Sequence, residues 1–71
     1  MRFGEKLRIL RTRRGLTLKQ LAETLGHASH TYLCELETGK KTPTAELVLH
    51  IARIFDTTTD SLLRDDLELP E

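Results

Sequence analysis

Apolar side chains recur at helical spacing along most of the chain, and no stretch alternates with the period of two that marks a strand. Phe3, Leu7 and Leu10 trace one face of a helix over residues 3–14, and Gly15 ends it. Arg11 and Arg14 continue the same stripe, an unusual place for charge. Thr17 and Gln20 read as a capping box, a hydroxyl at the N-cap answered by an amide three residues later. Leu18, Leu21, Ala22 and Leu25 follow as the apolar face of a helix closed by Gly26. Only about two turns fit there, too few to hold without tertiary packing.

Ser29 is the N-cap of a third helix whose apolar face is Leu33 and Leu36, with Glu37 beside Leu33 and Gly39 as the stop. After the loop Lys40-Lys41-Thr42-Pro43, Thr44 caps a fourth helix, with Glu46 in the first turn where the helix dipole favours an anion. Leu47, Val48, Ile51, Ala52 and Phe55 form its wide apolar face. Asp56, a residue that tolerates the left-handed conformation, ends it. Thr58 or Thr59 starts a last short helix with Leu62 and Leu63. The pattern predicts an all-α chain: one domain over residues 1–64 with five helices, then a mostly acidic tail over residues 65–71.

Composition narrows the classes further. The 71 residues are 38% hydrophobic, enough for one modest core. No apolar run approaches the ~18–20 residues of a membrane span, and no charged-then-apolar leader opens the chain. The lone Cys34 cannot pair within the chain, which fits a reducing compartment. The expected location is cytoplasmic, in a bacterial or phage setting and associated with the nucleoid. Net charge is +0, but residues 1–41 carry nine basic and four acidic side chains, a net of +5, and residues 42–71 carry −5. The neutrality is therefore a dipole, with the basic half expected to face an anionic partner.

Two short helices joined by a tight glycine-containing turn, over residues 17–25 and 29–38, describe either a helix-turn-helix unit or a generic helical hairpin. The blocks Gly15-Leu-Thr-Leu-Lys-Gln-Leu-Ala22, Tyr32-Leu-Cys-Glu-Leu-Glu-Thr-Gly39, Lys40-Lys-Thr-Pro43 and Thr58-Thr-Asp-Ser-Leu-Leu63 resemble the Cro/lambda-repressor-type (XRE) helix-turn-helix domain. The resemblance covers residues 3–64 and rests on these pieces occurring in order. It implies a compact five-helix lambda-repressor-like fold. Two departures stand out. The turn between Gly26 and Tyr32 is one residue longer than in the commonest members. Leu18 stands where many members carry a glutamine that touches a DNA phosphate, which passes that role to Thr17 or Lys19.

In such a domain the second motif helix lies in the DNA major groove with its N-terminal residues at the base edges. The resemblance assigns His30, Thr31, Tyr32 and Glu35 to base contacts. His30 donates or accepts according to its tautomer, and Thr31 offers a hydroxyl and a methyl for thymine. Glu35 only accepts, so a cytosine amino group is its natural target; the alternative is a solvated acid that repels phosphates. Thr17, Lys19, Ser29, Thr38, Lys40, Lys41 and Thr42 are the phosphate candidates, against the plainer reading of a solvated loop. Arg13 and Arg14 are weaker phosphate candidates and read rather as surface charges. Arg11 and Glu37, each costly to bury alone, form an internal ion pair at matching positions of the family.

Other chemistry finds little support. His27, His30 and Cys34 lack a fourth ligand and match no zinc spacing, so no metal is expected and Cys34 reads as a small packing residue. His50 reads as an edge-of-core histidine. No nucleophile–base constellation or pocketed carboxylate pair occurs, so no enzyme and no cofactor are expected. The expected partner is double-stranded DNA with a pseudo-palindromic operator, bound by a homodimer. The C-terminal part carries more leucine than a small core needs, which suggests Phe55, Leu62, Leu63 and Leu67, with Leu69, as the dimer surface. The expected function is a stand-alone transcriptional regulator, a repressor by occlusion. Alternatives are an activator of the restriction-modification controller type and an antitoxin with a protein partner, although residues 64–71 are a short extension for the latter.

Overall fold

A computed structural model describes residues 2–26 and 28–69 of the chain. The architecture is all-α, with five helices: α1 Phe3–Arg13, α2 Leu18–Thr24, α3 His30–Thr38, α4 Ala45–Ile54 and α5 Thr59–Leu63. Among the described residues there is no strand. Four helices start on hydroxyl caps. The capping box closes in both directions: Gln20 N donates to Thr17 Oγ1 at 3.1 Å, and Thr17 N donates to Gln20 Oε1 at 2.8 Å. Ser29 and Thr44 accept from the backbone of Tyr32 and Leu47. Thr58, not Thr59, caps α5. Each such cap is worth about 1 kcal/mol.

Helix ends follow from backbone chemistry as well. At the end of α3, Gly39 adopts φ 84°, and the next amide, Lys40 N, reaches back to Glu35 O at 2.9 Å. This closure satisfies the last carbonyls and turns the chain sharply into the Lys40–Lys41 loop. Asp56 takes φ 52°, as a residue of its type tolerates.

The core gathers one stripe from each helix: Phe3, Leu7 and Leu10; Leu21, Ala22 and Leu25; Leu33 and Leu36; Val48, Ile51, Ala52 and Phe55; and Leu62. Burying a leucine of this kind stabilises by roughly 1.5–3 kcal/mol, which is what holds elements as short as α2 and α5. Leu18 is half-buried against this core. Helix α1 is the spine, since α3 and α5 both pack on it, while α2 packs on α3 and α4 on α5.

The approach of α1 to α3 is backbone-close. A Cβ on Gly4 would collide with the Leu36 carbonyl oxygen and lie 2.8 Å from that of Glu37. Gly4 is therefore needed for contact rather than for a turn.

Residues 64–69 do not leave the fold at Arg64. They run back along α1 as a strap, with Leu69 packed on the core and Arg2 N donating to Asp65 Oδ1 at 2.8 Å.

Candidate nucleic-acid interface

Helix α3 is gripped on one side and open on the other. Leu33 and Leu36 are buried against α1 and α2, whereas Ser29, His30, Thr31, Cys34 and Thr38 are exposed. The Ser29 oxygen accepts from Tyr32 N at 3.2 Å, which leaves its own O–H available. The first-turn amides of α3 and its positive dipole end lie beside Ser29, a ready anchor for an anion. Lys40, Lys41 and Thr42 are exposed in the turn that the Gly39 closure creates. Thr17 and Lys19, at the start of α2, are exposed too, and the Thr17 oxygen accepts from Gln20 N.

Three of the proposed contact residues are less free than their spacing suggests. Tyr32 is half-buried against the core and lines a cleft of about 280 Å³ with Thr44, Leu47 and His50. Glu35 is half-buried. Thr38 Oγ1 donates to Cys34 O at 3.1 Å, so its single O–H serves its own helix and would have to turn away to reach a phosphate.

The helix that carries these groups is fixed to α1 by Arg11 and Glu37. Arg11 Nε donates to Glu37 Oε2 at 2.7 Å and Nη2 to Oε1 at 3.2 Å, a bidentate pair with the side chains 14% and 6% exposed. A third bond, Arg11 Nη1 to Leu16 O at 2.7 Å, ties the α1–α2 connection to the same guanidinium. The hydrogen bond to the Glu37 carboxylate raises the Arg11 pKa above its already high ordinary value, so the guanidinium stays charged. Its role is to hold α3 at a set angle to α1.

Several expectations need correction. Cys34 is exposed, not a packing residue, because it lies on the side of α3 away from Leu33 and Leu36. His50 is likewise exposed rather than at the core edge. Phe55 and Leu62 are 5% and 0% exposed within the chain's own core, so their side chains are already used and cannot face a second copy. Leu63 is 41% exposed, and Leu67 is half-buried. Arg14 places its guanidinium 5.5 Å above the Phe55 ring, a cation–π contact between the ends of α1 and α4. The His27 member of the metal trio lies outside the described residues; among those described, no group of three or more metal-ligating side chains gathers.

Lys6 was not singled out at all by the spacing argument, yet it is 1% exposed, and its ammonium donates to Ser61 O, Arg64 O and Leu67 O at 2.6, 2.7 and 2.7 Å. The signal was present: Lys6 lies three residues after Phe3 and four before Leu10, on the apolar face. With Arg2 bonded to the strap and Lys6 and Arg11 buried or nearly so, much of the positive charge of residues 1–41 faces inward or toward the tail. The basic groups on the α2–α3–loop face are Lys19, Lys40 and Lys41.

The helix-turn-helix domain family matches residues 2–65 of the chain. The HTH-type transcriptional activator BcrR of Enterococcus faecalis is 44% identical over 63 residues, which is 89% of this chain and 30% of BcrR. The chain thus spans less than a third of that relative's length. The restriction-modification controller protein C.AhdI of Aeromonas hydrophila superposes with a TM-score of 0.76 at 31% identity, covering 87% of this chain and 92% of that one. The N-terminal DNA binding domain of SinR from Bacillus subtilis gives a TM-score of 0.82 at 24% identity, covering 94% and 97%, a likeness of fold. With the Ser29-capped α3 set against α1 and α2 and a family match over nearly its whole length, the chain belongs to the helix-turn-helix domain family, as an XRE-type, five-helix DNA-binding domain.

Proposed function

We propose that this chain is a sequence-specific, double-stranded-DNA-binding transcriptional regulator that acts in the cytoplasm, on the nucleoid, as a homodimeric repressor. The observation that carries the reading is the N-terminal end of α3. A capped helix start with exposed Ser29, His30 and Thr31 is followed at the helix end by an exposed Lys40–Lys41 turn. Inserted in the major groove, His30 and Thr31 read base edges, Tyr32 contributes from the groove wall, and Glu35 accepts from a cytosine amino group. Ser29, Thr17, Lys19, Lys40, Lys41 and Thr42 hold phosphates, with Thr38 a weaker contributor because its hydroxyl is engaged. The dimer uses exposed Leu63 of α5, with Leu67 beside it in the strap, and sets the two recognition helices about 34 Å apart on a pseudo-palindromic site.

A second reading has its own support. BcrR is named an activator and C.AhdI a restriction-modification controller protein, so occupancy of the same kind of site can be coupled to activation. Selecting bound duplexes from a random pool tests the shared core of both readings. The expected product is a two-half-site motif with about 10 base pairs between half-site centres. Recovery of no enriched sequence would reject specific DNA binding. Placing the selected site upstream of, or across, a reporter promoter separates activation from repression.

A further inference from the structure

A basic helix and an acidic segment lie against each other in this fold. Helix α1 with its two flanking residues carries Arg2, Lys6, Arg8, Arg11, Arg13 and Arg14 against one acid, Glu5. The strap over residues 64–69 carries Asp65, Asp66 and Glu68 against Arg64, which bonds Asp66 at 2.8 Å. Arg2, Lys6, Ile9 and Arg13 form one stripe of α1. With Glu68 and Leu69 of the strap they line a groove of about 250 Å³. Arg2 N donates to Asp65 Oδ1 at 2.8 Å, and Arg2 Nη1 donates to Asp65 O and Glu68 Oε1, both at 3.3 Å. Arg2 Nε donates to Glu5 Oε2 at 3.3 Å. The path of the strap does not depend on these carboxylates, because Lys6 holds it through the carbonyls of Ser61, Arg64 and Leu67. The Glu68 side chain is 80% exposed, and an ion pair so open to water contributes little to stability. What Asp65 and Glu68 supply is negative charge beside Arg2 and Lys6, two cations that belong neither to the α3 end nor to the Lys40–Lys41 turn.

We propose that Asp65 and Glu68 are specificity-determining residues: they serve as an internal counter-anion that withholds the Arg2–Lys6 edge of α1 from DNA phosphates. The open side of α3 and the turn after it are then left as the face that binds. The inference rests on the DNA-binding reading above. An uncompensated second basic edge would hold phosphates of any sequence, with α3 out of the groove. Specificity is a difference of affinities, so neutralising that edge raises discrimination without adding a contact to the chosen site. The basic excess of residues 1–41 and the acidic excess of the tail thus meet in one contact, and the +0 net charge is in part local.

The test measures affinity for the selected duplex and for a random duplex over a salt series. It compares wild type with Asp65→Asn/Glu68→Gln, whose amides keep an acceptor oxygen for Arg2 but lose the charge. The control, Glu46→Gln/Asp60→Asn, removes two exposed acids from the first turns of α4 and α5. The Asp65→Asn/Glu68→Gln chain is expected to bind the random duplex several-fold tighter, with a salt slope steeper by about 1. Its affinity for the selected duplex rises less, so the ratio of specific to nonspecific affinity falls several-fold. Adding Arg2→Gln restores the wild-type ratio, because the edge is neutral again. A ratio that falls no further than in the control, or that Arg2→Gln does not restore, would overturn the proposal. Should the double variant not fold, Glu68→Gln alone decides in the same way, since it leaves the Asp65 bond to Arg2 N in place. A random pool from which wild type enriches no duplex rejects the DNA-binding reading itself, and the shield with it. An enriched site with an unmoved ratio rejects the shield alone.

Discussion

Two cations on the apolar face of α1, five residues apart, solve the same problem in different ways. Arg11 meets a carboxylate, Glu37, with a bidentate bridge and adds the Leu16 carbonyl. Lys6 meets three backbone carbonyls and, among the described residues, bonds no carboxylate. The planar guanidinium suits a forked partner, and the ammonium suits a shell of single acceptors. The difference sets what each link costs to break. Removing Arg11 or Glu37 leaves an opposite charge nearly buried and unpaired. Removing Lys6 leaves three neutral carbonyls, those of Ser61, Arg64 and Leu67, without their donor. Helix α3 is therefore held by the stiffer link and the C-terminal edge by the more yielding one.

The largest expected effect breaks the stiffer link. Arg11→Met and Glu37→Gln should each destabilise by about 3 kcal/mol, while the double variant costs less than their sum, with coupling of roughly 1–3 kcal/mol in a denaturation cycle. Coupling near zero would remove the bridge from the account. Next comes the backbone contact beside it. Gly4→Ala gains about 1 kcal/mol of helix propensity. That gain is outweighed by the clash with the Leu36 and Glu37 carbonyls. A net loss of about 2 kcal/mol in urea unfolding is expected, and a more stable Gly4→Ala chain would show that α1 and α3 do not approach so closely.

The smallest effect sharpens the yielding link. The Arg2 backbone N–H, and then the nearby charges of Lys6 and Arg2, hold the Asp65 carboxyl below its ordinary value of 3.8. A carboxyl depressed by folding stabilises above its unfolded value and loses that contribution as pH falls through the folded one. Urea midpoints measured from pH 7 down to pH 3 should thus fall less steeply in Asp65→Asn than in the wild type. Parallel curves would mean that Asp65 is not engaged.

The helices and their caps were legible in the chain because each is local. Thr17 with Gln20, Ser29, Thr44 and Thr58 state where helices begin, and Gly39 and Asp56 sit where a left-handed residue is required. Long-range detail was legible only where two anomalies could be matched. Arg11 and Glu37 each interrupt an apolar face, and opposite signs suggest each other. Lys6 interrupts one as well, but its partners are carbonyls 55 to 61 residues away, and backbone leaves no mark in residue identity. For the same reason Gly4 looked like an ordinary helix residue. Exposure was the other blind spot. Phe55 and Leu62 share their apolar character with Leu63, and only the packing of α4 on α5 decides which are used up. On the open side of α3, residue type suggested Thr38 as a phosphate donor, but a hydroxyl on a helix can bond its own preceding turn instead.

The central claim is that the open side of α3 and the turn after it lie against DNA. Its most direct test is the salt dependence of binding to the selected duplex, compared between wild-type and Lys40→Ala/Lys41→Ala chains. Each phosphate-bound lysine contributes about one to the slope of log affinity against log salt. The double variant should bind all sequences more weakly, with a slope shallower by about 2 and an unchanged order of base preference. An unchanged slope and affinity would place the DNA elsewhere on the molecule and contradict the account.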